Sequence, residues 1–407
     1  MIKNIVTIVD QYQHEQIDFL QYIDKVYLHL ESILSDNEKK NLISIKNDYQ
    51  KYKNLQVAEF YIDRLLKYKL SLSGPYKYKT NENSTTRGMD MVDVIITTYN
   101  RKSFLIDAVE SVLSQSYTNI RIIIMDDAST DGTQMLVSEK YSSNSNIVYH
   151  RNDSNCGPSK NRLYAYETYS KGEYVIFMDD DDYFIDNEYL ANVMKRYEID
   201  SDLAFIAADV IIDDCVDHNL NLFQLNYPTR IPCKEYFMNF QLRYAKPAST
   251  FTAVFNKKIL DKVNFSNMNT VNDSSIYLRS LLGGDAGFIS KIVGIYRVHG
   301  NNITFNCSCD FICENIMEKI KLANLAKEDL HLTNEEYKKW VVEQCRLTSR
   351  YYLNNSNPSL LQSIKLMRWL KYNINDIYFD LRKEMFKLIR YNQFKQIKKK
   401  FGLSRLN

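Results

Sequence analysis

Apolar residues recur at helical spacing near the start of the chain. Phe19, Leu20, Ile23, Val26, Tyr27, Leu30 and Ile33 mark one amphipathic helix, and Val57, Phe60, Tyr61, Leu65 and Leu66 mark another. Residues 1–72 therefore read as mostly helical. Ser73-Gly74-Pro75 and the polar, aperiodic stretch from Lys77 to Gly88 read as a linker. The rhythm then changes. Val92–Thr98 predicts a buried strand and Phe104–Ser114 a helix, with Ser103 as its cap. Ile120–Met125, Ile147–His150 and Tyr174–Met178 predict further strands, separated by helices over Asp131–Tyr141 and Ser159–Ser170. Alternation of this kind implies an α/β fold whose parallel sheet is covered on both faces. In such sheets ligands bind at the carboxyl ends of the strands. Helical spacing returns after about residue 310. The chain thus divides into an N-terminal helical region and linker (1–88), an α/β domain (89–305) and a C-terminal helical region (306–407). Residues 210–250 carry no readable motif.

Charge and cysteine usage narrow the classes. A formal net charge of +2 over 407 residues gives no general affinity for nucleic acid. Locally the balance differs: Lys365–Asn407 holds 12 Lys or Arg against 3 Asp or Glu. That basic end suits contact with an anionic membrane surface, or forms a solvated helix face. Met1–Asp10 lacks the long apolar run and cleavage site of a signal peptide, and no stretch reaches the ~18 apolar residues of a membrane span. A cytoplasmic protein is expected, peripheral at the inner membrane face if the basic end binds there. Seven cysteines without a regular framework fit a reducing compartment. Cys307, Cys309 and Cys313 match no standard zinc spacing and are expected to be reduced core thiols.

The sharpest chemical feature is Phe177-Met178-Asp179-Asp180-Asp181-Asp182-Tyr183, an apolar strand running into four carboxylates. Adjacent carboxylates raise one another's pKa unless a cation intervenes. Hard divalent ions prefer oxygen ligands, and magnesium-type sites use one or two carboxylates completed by substrate phosphates. A solvated acidic turn is the plainer alternative, but the position at a strand end favours a metal site. No Gly or Glu stands where a calcium-binding EF-hand loop needs them.

Four motifs in order, Val94–Arg101 (VIITTYNR), Met125–Thr133 (MDDASTDGT), Gly157–Arg162 (GPSKNR) and the Asp179–Asp182 cluster, resemble family 2 glycosyltransferases of the GT-A fold. The resemblance covers about half the chain. It implies a GT-A type, Rossmann-like nucleotide-diphospho-sugar transferase domain flanked by helical regions. It implies that Thr97, Tyr99 and Asn100 hold the nucleotide, that Asp126 or Asp127 accepts from a uracil N–H, and that Arg162 pairs with nucleotide or diphosphate. Asp179 would contact ribose, with Asp180 beside it, and Asp181 would hold a divalent cofactor, Mn2+ or Mg2+. Asp182 and Lys160 are further candidates. Val271–Arg279 (VNDSSIYLR) resembles the family's acidic pair opening a helix, so Asp273 would be the general base; its plain alternative is a helix N-cap. Tyr296–Asn302 (YRVHGNN) resembles the loop over the diphosphate, with His299 as a second metal or phosphate contact. The implied reaction is a direct, inverting displacement from a UDP-sugar to a hydroxyl of a glycan, lipid-linked or peptide acceptor in cell-surface glycan synthesis. The terminal helices suit dimerisation or a protein acceptor. A nucleotide-binding protein without catalysis is the rival reading. A nicotinamide dehydrogenase is opposed because Thr97-Thr98-Tyr99-Asn100 stands where Gly-x-Gly-x-x-Gly is needed.

Overall fold

The computed structural model describes residues 1–74, 90–300, 307–356 and 358–400. Most of the expected linker, both expected domain boundaries, Asn301, Asn302 and the last seven residues lie outside the described residues. The elements run α1 (Ile2–Gln13), α2 (Phe19–Leu30), α3 (Asp36–Tyr52), α4 (Leu55–Leu70), β1 (Val92–Thr98), α5 (Lys102–Leu113), β2 (Ile120–Asp126), α6 (Thr133–Tyr141), β3 (Ile147–Arg151), α7 (Pro158–Thr168), β4 (Tyr174–Asp179), β5 (Tyr183–Phe184) and α8 (Tyr189–Ile199). They continue β6 (Leu203–Asp214), β7 (Asn219–Phe223), β8 (Arg230–Ile231), α9 (Cys233–Met238), β9 (Ala253–Asn256), α10 (Lys257–Lys262), α11 (Asp273–Ser280), β10 (Asp285–Val298), α12 (Cys309–Asp329), α13 (Asn334–Asn355), α14 (Leu360–Asn373) and α15 (Asn375–Lys400).

The chain forms two compact units. The first contains Met1–Ile231, Pro247–Leu260 and Asp285–His299 and holds the sheet, ordered β3-β2-β1-β4-β9-β6-β10-β5. Strands β1 to β4 pair in parallel, and β1 is buried along its whole length, as its unbroken apolar run requires. These are the strands from which a parallel sheet was expected; beyond β4 the sheet is mixed. There β9 runs antiparallel to both β4 and β6, while β6 and β10 are parallel to each other. Strand β9 has four residues, too few for periodicity to reveal its direction. Because β9 reverses once and β6 reverses again, β10 runs in the same sense as β1 and β4. Helix α5 begins without a side-chain cap: Arg101 is its N-cap residue and Ser103 lies inside the helix, correcting the expected cap.

Helices α1 to α4 belong to this unit. Asp18 with Gln21 and Ser35 with Glu38 form capping boxes that start α2 and α3. Their apolar faces, among them Ile23, Val26, Ile45 and Leu65, share one core with Tyr183, Ile185, Ile211, Ile292 and Ile295 of the sheet region. Asp209 on β6 is also buried here, accepting from the Leu225 N–H at 2.8 Å. Burial pushes its carboxyl up to about 7. An acid raised in the folded state contributes stability below its unfolded pKa, and that stability is lost as pH rises through about 7. Asp209→Asn, which keeps an acceptor for Leu225, is therefore expected to stabilise the protein by ~2–4 kcal/mol at pH 8. The advantage should vanish near pH 4, the ordinary carboxylate range. Urea unfolding at the two pH values measures the difference.

The second unit contains Pro232–Lys246, Asp261–Gly284 and Gly300–Asn407. Its core is helical. Trp340 on α13 stacks on Phe237 of α9 with ring centroids 4.5 Å apart, and its Nε1–H donates to the Phe237 carbonyl at 2.7 Å. Lys319 is buried among Gln344 and Thr348, donating to each at 3.0 Å, and burial pushes its ammonium down to about 8. Cys309 and Cys313 are buried, and all seven cysteines are free thiols. Among the described residues no helix is long and apolar enough to cross a membrane.

Candidate active site

Register assembles the first part of the site. Thr97 is level with Met125 and with Asp179, and Thr98 is level with Asp126. The carboxyl ends of β1, β2 and β4 thus meet along one edge of the sheet, as expected for ligand binding. Strand β10 points the same way and ends in Arg297, Val298 and then His299.

The turn after β1 is braced against the turn after β2. Asn100 adopts φ +54° and Ala128 φ +68°, a left-handed conformation that non-glycine residues seldom hold. The Asn100 N–H donates to Ser129 Oγ at 2.8 Å, and its side-chain oxygen accepts from the Thr130 N–H at 2.7 Å. Asp127 N–H donates to the Thr98 carbonyl at 2.9 Å. Asn100 is thus a loop brace here. Tyr99, between these contacts, is 47% exposed, which sets aside core packing for its ring.

Asp126 and Asp127 are both buried. Asp126 accepts from the Ser129 N–H at 2.8 Å and from the Tyr149 hydroxyl at 2.6 Å. Asp127 accepts from the N–H groups of Cys156 and Gly157, at 2.9 and 2.8 Å, and from Asn152 Nδ2 at 2.8 Å. Its carboxylate therefore shapes the loop leading into α7. Gly157 turns that loop with φ +85°, open to glycine and strained for other residues, and Pro158 begins the helix. Lys160 in the first turn is exposed, whereas Asn161 is buried and donates to the Met125 carbonyl at 2.9 Å. Buried Arg162 forms an ion pair with Asp179, joining two expected donor contacts to each other.

The four carboxylates diverge. Asp180 is 2% exposed and accepts from Thr98 Oγ1 at 2.7 Å and from Arg101 at 3.1 Å. Burial, with Asp181 adding to it and Arg101 opposing it, pushes its carboxyl up to about 7. Asp181 Oδ2 lies 3.0 Å from Arg101 and 2.8 Å from His299 Nε2. Asp182 is fully buried and accepts from Ser249 Oγ at 2.8 Å. Arg297 lies between the rings of Phe104 and Tyr183, each 4.6 Å away, pairs with Asp107 at 2.7 Å and donates to the Asp181 carbonyl. Sequence reasoning assigned no role to Arg101, Arg297, Tyr149 or Asn152. Arg101 closes the first motif, so a cation one residue beyond a strand-end turn was the signal for it.

Asp181 and His299 supply one oxygen and one nitrogen side by side. That pair fits a divalent ion whose remaining ligands are substrate phosphates. Among the described residues no group of three or more His, Cys, Asp or Glu is arranged to hold a metal without such help.

Asp273 lies in the second unit, in the first turn of α11. The N-cap is Asn272, whose side chain accepts from the Ser275 N–H in a capping box, so the alternative role for Asp273 is corrected. Asp273 pairs with Lys246 at 3.0 Å.

Carboxylates at the ends of parallel strands line one sheet edge and the histidine that follows β10 reaches them, an arrangement that suits a glycosyltransferase of the GT-A fold. Residues 93–282 match the family model described as glycosyl transferase family 2. A GalNAc(5)-diNAcBac-PP-undecaprenol beta-1,3-glucosyltransferase of Campylobacter jejuni is 25% identical over 65% of this chain and 83% of its own length. The Escherichia coli UDP-Glc:alpha-D-GlcNAc-diphosphoundecaprenol beta-1,3-glucosyltransferase WfaP is 40% identical over 24% of this chain and 38% of its own. Among solved structures, S. aureus TarS 1-349 in complex with UDP-GlcNAc shares the fold with a TM-score of 0.56 and 17% identity, over 75% of this chain and 88% of that one.

Proposed function

We propose that the enzyme transfers a sugar from a UDP-sugar to a hydroxyl of a lipid-linked glycan in cell-surface polysaccharide synthesis. The observation that carries this reading is the Asp181–His299 pair, at 2.8 Å, on the sheet edge that Thr97, Asp126 and Asp179 share. The lipid-linked acceptors in the names of the two relatives support the acceptor class.

In this reading Tyr99 and the Asp126–Asp127 turn receive the base, and Asp179 receives the ribose. Arg162, already beside Asp179, neutralises the nucleotide's phosphate side. Asp181 and His299 hold a divalent ion, which when bound supplies Lewis-acid stabilisation of the departing diphosphate. Arg101 shares Asp180 with Thr98 and sits on Asp181, so it offsets the negative cluster that burial would otherwise penalise. Asp273 removes the proton from the acceptor hydroxyl as that oxygen attacks the anomeric carbon from the face opposite the leaving group. The outcome is inversion.

Calorimetric titration with UDP, in Mn2+, in Mg2+ and after chelation, tests the donor site. Saturable binding that chelation weakens at least tenfold is expected, since metal-bridged phosphate contacts contribute several kcal/mol. Equal binding with and without chelator would remove the ion, and no binding at all would remove UDP.

A further inference from the structure

The last two helices of the second unit carry large apolar side chains in the open, interleaved with cations. On α15, Phe379, Lys383, Phe386 and Arg390 recur at steps of four, three and four residues, which puts them on one face. Phe379 is 50% and Phe386 52% exposed, and Lys383, Lys387 and Arg390 are exposed beside them. The opposite face is the one that packs: Leu381, Met385 and Ile389 are buried. Two of the three acids of the helix are turned toward α13, while Asp376 in its first turn is exposed. Glu384 pairs with Arg346 at 3.0 Å and with Arg350 at 3.5 Å, and Asp380 lies 4.0 Å from Lys338, all on α13. Helix α14 repeats the arrangement with Leu361, Lys365, Arg368 and Tyr372 exposed at helical spacing, Leu361 at 80% and Tyr372 at 91%, over buried Leu366, Met367 and Leu370.

A protein partner would favour an apolar centre cleared of lysine. A solvated face would have no use for exposed phenylalanines two turns apart. Rings and cations alternating along one face, with Asp380 and Glu384 paired behind it, match an interfacial helix whose rings enter the headgroup layer while its charges meet lipid phosphates. We propose that this face of α14 and α15 rests on an anionic lipid bilayer. The inference stands on the second unit's surface and is independent of the donor-site reading.

Flotation of the full-length enzyme with phosphatidylglycerol vesicles, and with phosphatidylcholine vesicles, tests it. Binding to phosphatidylglycerol that falls steeply with added salt is expected, with little binding to phosphatidylcholine. The triple variant Lys383→Gln/Lys387→Gln/Arg390→Gln should lose roughly a hundredfold in affinity at low salt. Phe379→Ser/Phe386→Ser should lose roughly tenfold or more. All five substituted positions are exposed, so melting temperature and UDP binding should be unchanged in both variants. Three results would overturn the proposal: no flotation with either lipid; equal flotation with both; or self-association of the wild type by light scattering that the phenylalanine variant abolishes, which would make a second copy the occupant. Capture by a soluble polyanion without vesicle binding would overturn it as well.

Discussion

Asp273→Asn is expected to lower sugar transfer by roughly 10²–10⁴-fold, the usual contribution of a general base, while leaving UDP affinity within a factor of two or so. The measurement is incorporation of labelled sugar into solvent-extractable lipid, beside calorimetry with UDP. The substitution is clean for a structural reason. Asn272, not Asp273, caps α11 through its bond to Ser275, so the helix start survives. The substitution removes the ion pair with Lys246, whose partner Asp273 has a side chain 29% exposed. A partly exposed pair of that kind contributes on the order of 1 kcal/mol. A merely structural Asp273 would therefore shift melting slightly and leave transfer intact. With a catalytic base removed, the rising acid limb of the kcat/KM profile should also disappear, and Asp273→Glu should recover part of the rate. Full transfer by Asp273→Asn would sink this assignment and leave the donor site standing.

The second large effect is expected at Asp181. Asp181→Ala should cost about a hundredfold or more in metal-dependent UDP affinity and abolish transfer, because in the proposed site it leaves His299 as the one remaining ligand among the described residues. Arg101 retains Asp180 as a partner at 3.1 Å in this variant, so the cluster keeps a counter-cation. The variant separates two arrangements that share the same residues. If metal-dependent affinity survives, the ion is held elsewhere. If affinity in the presence of chelator rises instead, Arg101, released from Asp181, has taken over the diphosphate as a fixed cation.

Much of the fold was legible because it is local. The apolar run Val92–Thr98 coincides with β1, and the strand ends carrying Thr97, Asp126 and Asp179 were placed by the alternation of periods alone. The parts that were not legible depend on residues far apart in sequence. The antiparallel insertion of β9 between β4 and β6 is a pairing choice that four residues cannot signal. The same holds for side-chain partners. Asp127 stood out as a candidate base contact, yet that it organises Asn152, Cys156 and Gly157 follows only once the two loops are brought together. Ser103 looked like a cap because Ser precedes an apolar run, but the turn after β1 is already held by Asn100 and Ser129, and the helix starts earlier. The helices before β1 were legible as helices from their spacing, but the core they share with the sheet region depends on residues far apart in sequence.

The way His299 is presented has a thermodynamic consequence. The ring follows directly on β10, a 14-residue strand paired along most of its length with β6, and it rests 4.9 Å from the ring of Phe104. Two residues earlier, Arg297 is fixed between two aromatic rings and tied to Asp107. A side chain held this way has little rotational freedom left to surrender when a diphosphate arrives. Ordering a rotamer-rich side chain ordinarily costs ~0.5–1.5 kcal/mol. Here that cost was met when the chain folded, so in the proposed reaction His299 acts as part of the scaffold, and the entropy of capture falls on the ligand and its water.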